Sequence, residues 1–223
     1  MDGGLGGNYG ILEFGIAELA DGRILMLGFS GVGRIFRSYS RDAGETWNEA
    51  EPTQLQGSGP MSVKRIPGTN DVLAIWCQSS RWEAINGFSR HRLSCAVTSD
   101  GGLTFDHFNN LESLDDVNRI EPEPLTPYYL NRVAKQPLDS VRYHRAPGPL
   151  RVDHPFCTFQ NGNAIIGYGI GNPGDLELIT RYYHQDIEQF CRTFGFERDK
   201  NNPNRVAGSN KVQVIPVDWF YSR

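Results

Sequence analysis

"SYSRDAGETW" at residues 38–47 and "TSDGGLTF" at residues 98–105 carry one and the same pattern. A hydroxyl residue, an Asp, a Gly, a Thr and an aromatic residue follow one another at identical offsets. The first copy consists of Ser40, Asp42, Gly44, Thr46 and Trp47, and the second of Thr98, Asp100, Gly102, Thr104 and Phe105. A motif duplicated at the spacing of a repeat unit indicates architecture before chemistry.

The sequence around both copies is typical of β-strands. Short runs rich in Ile, Val and aromatic residues alternate with turn residues, and "ADGR" (20–23) and "QNGN" (160–163) are typical of tight hairpins. Strand, turn, strand and an outer pair recur three times, which predicts an all-β fold of three four-stranded blades of a β-propeller. The blades are expected at about 10–56, 57–111 and 150–223, as one partial propeller domain, with outer strands of the third at "LELITRYY" (176–183) and "KVQVIPVDWFY" (211–221).

Residues 112–149 interrupt this plan with a proline-rich stretch, "EPEPLTPYYLNRVAKQPLDSVRYHRAPGP". Proline removes donors from a strand ladder, so the segment is predicted to be an insertion or an extended loop. Tyr143 and His144, within it, are candidates to reach over the centre of the propeller.

Composition excludes several classes of function. The net charge is −4, and the Lys and Arg residues are scattered, so nucleic acid is not an expected partner. No run approaches the roughly 20 apolar residues that span a bilayer, so no membrane partner is expected. The four cysteines form no CxxC pair and the five histidines are isolated, so neither a metal nor a cofactor is predicted.

The two motif copies resemble the Asp boxes, or BNR repeats, of the sialidase superfamily. "ELADGRILML" with "GRIFRSYSRDAGETW" resembles its six-bladed propellers, and "VQVIPVDWFY" is similar to a closing strand of that family. The resemblance covers about residues 11–111 and 150–221. It implies that each box joins the third and fourth strands of a blade on the rim away from the substrate, with Trp47 and Phe105 packed between blades. Because only three blades are counted, pairing with a missing N-terminal half or with another chain is expected.

The resemblance also places candidate site residues. Glu13 matches the Glu that activates the family's Tyr nucleophile, and Arg90, with Arg92 as the near alternative, matches an arginine of the triad that binds the substrate carboxylate. Arg34, at the start of a strand, is expected near the same funnel. Phe29 stands where another triad arginine is expected, and its ring offers a stacking platform for a sugar.

The position of the nucleophilic Tyr falls at Asp153 or His154 in "RVDHPF". Asp beside His can orient or charge the imidazole, so both are candidates for acid–base chemistry. The resemblance thus implies a sialidase-like glycoside hydrolase that acts on a glycan in the central funnel. The alternative is a non-catalytic propeller that binds glycan or protein, and a third possibility is a purely structural repeat fragment. Because parts of the sialidase set are replaced, sialosides are expected to be poor substrates.

Overall fold

The computed structural model describes residues 10–80, 83, 90–113, 115–125, 151–171 and 209–222. Within them the chain forms antiparallel sheets in chain order. The first sheet contains β1 (Ile11–Glu18), β2 (Ile24–Ser30), β3 (Arg34–Ser40) and β4 (Glu51–Gln56). The second contains β5 (Ser62–Arg65), β6 (Val72–Cys77), β7 (Leu93–Thr98) and β8 (Asp106–Glu112). The third contains β9 (Arg151–Gln160), β10 (Asn163–Gly171) and β11 (Ser209–Pro216).

This architecture confirms the predicted all-β class and the succession of antiparallel sheets. The first two sheets have four strands each, and the described part of the third has three. The outer strand expected at residues 176–183 lies outside the described residues. The strand expected over 211–221 ends earlier, because Val217–Tyr221 forms a 3-10 helix that buries Phe220 completely.

The two large apolar clusters of the described core lie one on each face of the second sheet. One cluster packs Leu25 and Leu27 of β2 against Val72 and Trp76 of β6. The other packs the opposite face of the second sheet against the third sheet, through residues such as Ile166. All residues of β6 and β7 are buried, which explains their continuous apolar sequences, since a strand covered on both faces does not alternate.

The hairpin at "QNGN" has the turn chemistry that the sequence predicts. Asn161 and Gly162 have φ values of 50° and 74°, as a type I′ turn requires at its two central positions. Gly22, in the corresponding hairpin of the first sheet, has a φ of 83°. Asn and Gly accept this left-handed conformation at little steric cost, so these turns fix the register of both hairpins.

The first copy of the repeated motif forms a closed hydrogen-bonded turn between β3 and β4. Thr46 donates to Asp42 through its backbone N–H, at 2.8 Å from Oδ1, and through its hydroxyl, at 2.5 Å from Oδ2. The Ser40 hydroxyl donates to Asp42 at 2.8 Å and accepts from the backbone of Gly44, also at 2.8 Å. The Asp carboxylate therefore joins both ends of the turn.

The second copy repeats the same contacts between β7 and β8. Thr104 donates to Asp100 through its backbone, at 2.9 Å from Oδ1, and through its hydroxyl, at 2.6 Å from Oδ2. Thr98 Oγ1 donates to Asp100 at 2.9 Å and accepts from Gly102 at 2.8 Å. Even the glycine conformations agree, with φ values of 97° for Gly44 and 96° for Gly102. The sequence repeat is therefore a repeat of local structure.

The aromatic residues that close the two turns lie in different environments. Phe105 is fully buried in the cluster between the first and second sheets, as expected for packing between blades. Trp47 is only partly buried, and its indole N–H donates to the Gly44 carbonyl at 3.0 Å. The clusters of buried side chains found in the described part of the chain do not include Trp47, so its expected packing between blades is not observed there.

The two turns predict how the stability of the protein depends on pH. Hydrogen bonds from Thr46 and Ser40 lower the pKa of Asp42 to about 2. Burial acts to raise the pKa of Asp100, but bonds from Thr104 and Thr98 outweigh it, so that pKa is also lowered. A carboxyl with a lowered pKa in the folded state stabilises above its unfolded pKa of about 3.9 and loses this contribution as the pH falls toward 2.

We therefore expect the melting temperature to fall between pH 4 and pH 2, and to fall less steeply in the variant that combines Asp42→Asn with Asp100→Asn. The single variant Asp116→Asn, which removes an exposed carboxylate, is the control. Thermal unfolding followed by circular dichroism checks this expectation. Parallel pH profiles for the wild type and the double variant would contradict it.

The predicted insertion begins at Glu112, which the structure places at the end of β8. Its further described residues, 113 and 115–125, form no strand or helix, but hydrogen bonds hold them against the first two sheets. The Gln78 side chain donates to the Asn118 carbonyl at 3.0 Å and accepts from the backbone of Ile120 at 2.7 Å. Gln56, at the end of β4, accepts from the backbone of Glu123 at 3.2 Å. The segment thus crosses from the second sheet to the first. Residues 126–149, with Tyr143 and His144, lie outside the described residues.

Candidate functional site

The innermost strands of the first and third sheets each carry a β-bulge near the start. The pairing of β1 with β2 is interrupted between Leu12 and Gly15, and that of β9 with β10 between Gly167 and Gly169. Glu13 and His154 lie in these bulges with φ values of 43° and 45°. Left-handed conformations are uncommon for residues other than glycine and are found often at functional sites.

Arg90, which precedes β7 in the second sheet, joins the two bulged strands. Its Nη1 forms an ion pair with Asp153 of β9, and its Nη2 lies 3.4 Å from Oε2 of Glu13 in β1. The side chains of Arg90, Asp153 and Glu13 are 20%, 22% and 39% exposed. Three sheets therefore each contribute one charged group to a cluster that solvent can reach, which we call the Arg90 cluster.

His154 completes the Arg90 cluster. Its Nδ1 lies 2.8 Å from Oδ1 of Asp153, and its backbone N–H donates to the same oxygen at 3.0 Å. This bond requires the proton on Nδ1, which leaves Nε2 as the acceptor in the neutral imidazole. The His154 side chain is 70% exposed, so Asp153 orients an imidazole that is open to a ligand.

Arg92, the alternative to Arg90, belongs to a different cluster. Its guanidinium is fully buried and lies 2.8 Å from Glu83 Oε1, while its Nε lies 2.8 Å from Asp115 Oδ1. Burial raises the pKa of the Glu83 carboxyl, although Arg92 acts against this. For Asp115, the bonds from Arg92 and Ser113 outweigh burial and lower the pKa. Of the two candidate arginines, the structure places Arg90, and not Arg92, beside Glu13.

The pairing of Glu83 and Asp115 with an arginine was not predicted from the sequence. Glu83 stands in the segment between β6 and β7, and Asp115 in the predicted insertion. The "SLDD" stretch at 113–116 offers the only local signal, because Ser followed two residues later by Asp is typical of a side chain that caps a turn. Ser113 indeed donates to Asp115 at 2.9 Å.

Arg34 and Phe29 are both buried. Arg34 Nη1 donates to the Thr53 carbonyl at 2.9 Å, its Nη2 donates to the Glu123 carbonyl, and burial lowers its pKa. Arg34 thus ties the start of β3 to β4 and to the insertion. Phe29 is 7% exposed and packs in the cluster between the first two sheets. The binding roles assigned to both residues from the sequence remain predictions, which these positions do not favour.

The described residues hold no group of three or more His, Cys, Asp and Glu side chains placed to bind a metal ion. Over the same part of the chain, no helix has the length and apolar character needed to cross a bilayer. The Arg90 cluster consists of two carboxylates, one guanidinium and one imidazole.

Known protein structures resemble this one, although no family model and no curated protein sequence matches the chain. The GH93 α-L-arabinofuranosidase of Fusarium graminearum in complex with arabinobiose aligns with a TM-score of 0.50 and 13% identity, over 92% of this chain and 48% of its own. An α-L-arabinanase of Penicillium chrysogenum complexed with arabinobiose aligns at 0.46 with 14% identity, over 72% and 41%. A mutant of NanB sialidase from Streptococcus pneumoniae aligns at 0.47 with 15% identity, over 95% and 24%.

The likeness to the Fusarium enzyme shows the fold alone, since the identity is low. The chain has the sialidase-like β-propeller fold that the repeated turns predicted. It spans less than half the length of each of these structures.

Proposed function

We propose that this chain forms part of the glycan site of a propeller glycoside hydrolase, with the Arg90 cluster at that site. The observation that carries the proposal is the convergence of Glu13, Arg90 and Asp153, which come from three sheets and meet through one guanidinium. Side chains from neighbouring blades meet where the innermost strands approach the propeller axis, which is where propellers and barrels bind ligands.

The proposal extends to the architecture. We assign the two repeated turns as Asp boxes, on the support of their shared hydrogen bonds and their position between the third and fourth strands of a sheet. The chain is then one partial propeller domain with blades at about 10–56, 57–111 and 150–223. Because it spans about half of the Fusarium enzyme, we further propose that blades outside these 223 residues complete the ring, from the same or another chain.

The charges of the Arg90 cluster favour a neutral sugar over an anionic one. Arg90 already faces two carboxylates, so the carboxylate of a sialic acid would have to displace Glu13 or Asp153 to reach it. The hydroxyl groups of a neutral sugar can instead donate to the partly exposed Glu13 carboxylate and to Nε2 of His154. Asp153 and His154 are the candidates for acid–base chemistry, with Glu13 as the second carboxyl group of a glycosidase pair.

A non-catalytic glycan- or protein-binding propeller is the second candidate function. It is favoured by the residues at the position of the sialidase nucleophile, where Asp153 and His154 stand and no Tyr is present. It is also favoured by the pairing of both carboxylates with Arg90, because an ion-paired carboxylate is a weaker base. The two candidates share the same site and differ in whether bound glycan is cleaved.

We expect the chain to bind arabinobiose, the disaccharide present in the Fusarium structure, and Asp153→Asn to weaken this binding tenfold to a hundredfold. The reason is the loss of a charge-assisted hydrogen bond, worth about 1.5 to 3 kcal/mol. Isothermal titration calorimetry gives the dissociation constants. The control is Asp21→Asn, which removes an exposed carboxylate paired with Arg23 in a hairpin turn. No binding of arabinobiose, or equal binding by both variants, would refute this placement of the site.

Turnover assays separate the two candidate functions. Chromogenic α-L-arabinofuranoside, uronide and sialoside substrates are incubated with the chain, and release of the chromophore is followed. Release from the neutral substrate, abolished by Asp153→Asn, supports the hydrolase, whereas binding of arabinobiose without release supports the non-catalytic propeller. Robust turnover of the sialoside would overturn the preference for neutral sugars.

A further inference from the structure

The segment that connects the first sheet to the second contacts two residues of the Arg90 cluster, Glu13 and Arg90. This segment, residues 57–61, which we call the β4–β5 linker, returns from the outer edge of the first sheet to the innermost strand of the second. The Met61 N–H donates to the carbonyl of Glu13 at 3.2 Å, and the Ser58 N–H donates to the carbonyl of Cys77 at 3.1 Å. Backbone hydrogen bonds therefore fix the linker to a site residue in β1 and to the end of β6.

Gly59, at the centre of the linker, leaves the space that the Arg90 side chain occupies. A Cβ atom added at Gly59 would lie 3.3 Å from Nε and 3.6 Å from Cγ of Arg90. It would also lie 3.5 Å from Cβ of Cys77, which is ordinary van der Waals contact. The Arg90 side chain thus crosses over the Cα atom of Gly59 on its way to the two carboxylates.

The backbone of Arg90 is fixed independently of its side chain. Its carbonyl accepts from the N–H of Val152 at 2.8 Å, the residue that precedes Asp153 in β9. With this anchor in place, the direction of the long side chain depends on what it packs against. An arginine side chain has many rotamers, so a surface that supports its stem decides where the guanidinium lies.

We propose that Gly59 is a positioning residue of the glycan site, whose missing side chain directs Arg90 between Glu13 and Asp153. This inference rests on the proposed function in one respect, namely that the Arg90 cluster is a glycan site. It assigns a role in the site to the β4–β5 linker, which supplies no side chain to the charged cluster. In the sequence its only sign is the glycine- and proline-rich stretch "GSGP" at 57–60.

Two effects of a substitution at Gly59 have to be separated. Gly59 has a φ of 107°, so any other residue is strained there whatever its contacts. Gly68, in the turn between β5 and β6, has a φ of 78° and no atom within 4 Å of an added Cβ. Gly68→Ala therefore places an alanine at a positive φ without the contact, and it is the control for Gly59→Ala.

The experiment measures how readily the arginine-specific reagent phenylglyoxal labels Arg90, with peptide mass spectrometry to locate the modified residues. We expect labelling of Arg90 to rise several-fold in Gly59→Ala and to stay at the wild-type level in Gly68→Ala. Arg119, whose side chain is 39% exposed, is the internal reference in every sample. Equal labelling of Arg90 in the two glycine variants would overturn the proposal.

A stability cycle keeps the proposal testable if Gly59→Ala folds poorly. Arg90→Ala removes two of the three nearest atoms to the added Cβ, Nε and Cγ. Adding Gly59→Ala to Arg90→Ala should therefore lower the melting temperature less than Gly59→Ala does in the wild-type background. An equally large loss with and without Arg90 would show that Gly59 acts through the backbone alone. Neither readout uses a glycan, so a failure to bind arabinobiose refutes the proposed function and not this inference.

Discussion

Arg92→Ala is expected to destabilise the protein by about 3 to 5 kcal/mol, because it leaves two carboxylates at a buried site without their counter-ion. The Glu83 side chain is 1% exposed and that of Asp115 13%, and both depend on the guanidinium for charge compensation. Urea-induced unfolding followed by tryptophan fluorescence gives the change in the free energy of unfolding.

Arg119→Ala is the control for this substitution. Arg119 pairs with Glu121 at 2.9 Å, but the two side chains are 39% and 73% exposed, so the expected loss is below about 1 kcal/mol. The Arg92→Ala deficit should also shrink as the pH falls from 8 to 5, since the unpaired carboxyl groups then take up protons. Similar losses for both variants, or a deficit independent of pH, would mean that the Glu83 and Asp115 charges are compensated by solvent.

Phe105→Ala should lower the free energy of unfolding by about 3 to 5 kcal/mol, the usual cost of removing a buried aromatic ring and leaving a cavity. Phe105 is fully buried between the first and second sheets, and the same cluster holds Trp76, also fully buried. Truncation of Phe105 therefore weakens the contact between two blades.

Trp47→Ala is the matched comparison, since Trp47 closes the other copy of the motif. We expect less than half of the Phe105→Ala loss, because Trp47 is partly exposed and its indole contacts its own turn. Urea unfolding under identical conditions measures both variants. Equal losses would show that Trp47 packs as deeply as Phe105 does, contrary to the structure.

The comparison of Trp47 with Phe105 shows which structural properties a repeated sequence motif determines. Local contacts in the turn depend on residues within a few positions of one another, so Asp42 and Asp100 form the same bonds. The environment of Trp47 or Phe105 depends on the neighbouring sheet, which the motif does not contain. Burial therefore differs where the local sequence is equivalent.

The residues of the candidate site also differ in how much of their environment the local sequence predicts. The family resemblance made Glu13, Asp153 and His154 candidates, and in the structure they lie together around Arg90. Their functional roles are still proposals. The burial of Phe29 is consistent with the local pattern. Leu25, Leu27 and Phe29 occupy alternate positions along β2, and all three face the core.

The sequence by itself determined many of the described strands, the tight turns, the repeated motif and, through them, the propeller fold. These features arise from short-range rules: alternation along a strand, the φ preferences of Asn and Gly, and side-chain bonds within a turn. Only the tertiary structure gives Arg90 and Arg92, which stand two residues apart, their different partners. Arg92 is bound by Glu83 and Asp115, whereas Arg90 meets Glu13, 77 residues away, and Asp153, 63 residues away. A long charged side chain contacts the groups that the packing of separate sheets brings close to it. That packing depends on residues distant in the sequence, so the neighbours of Arg90 and Arg92 along the chain do not predict it.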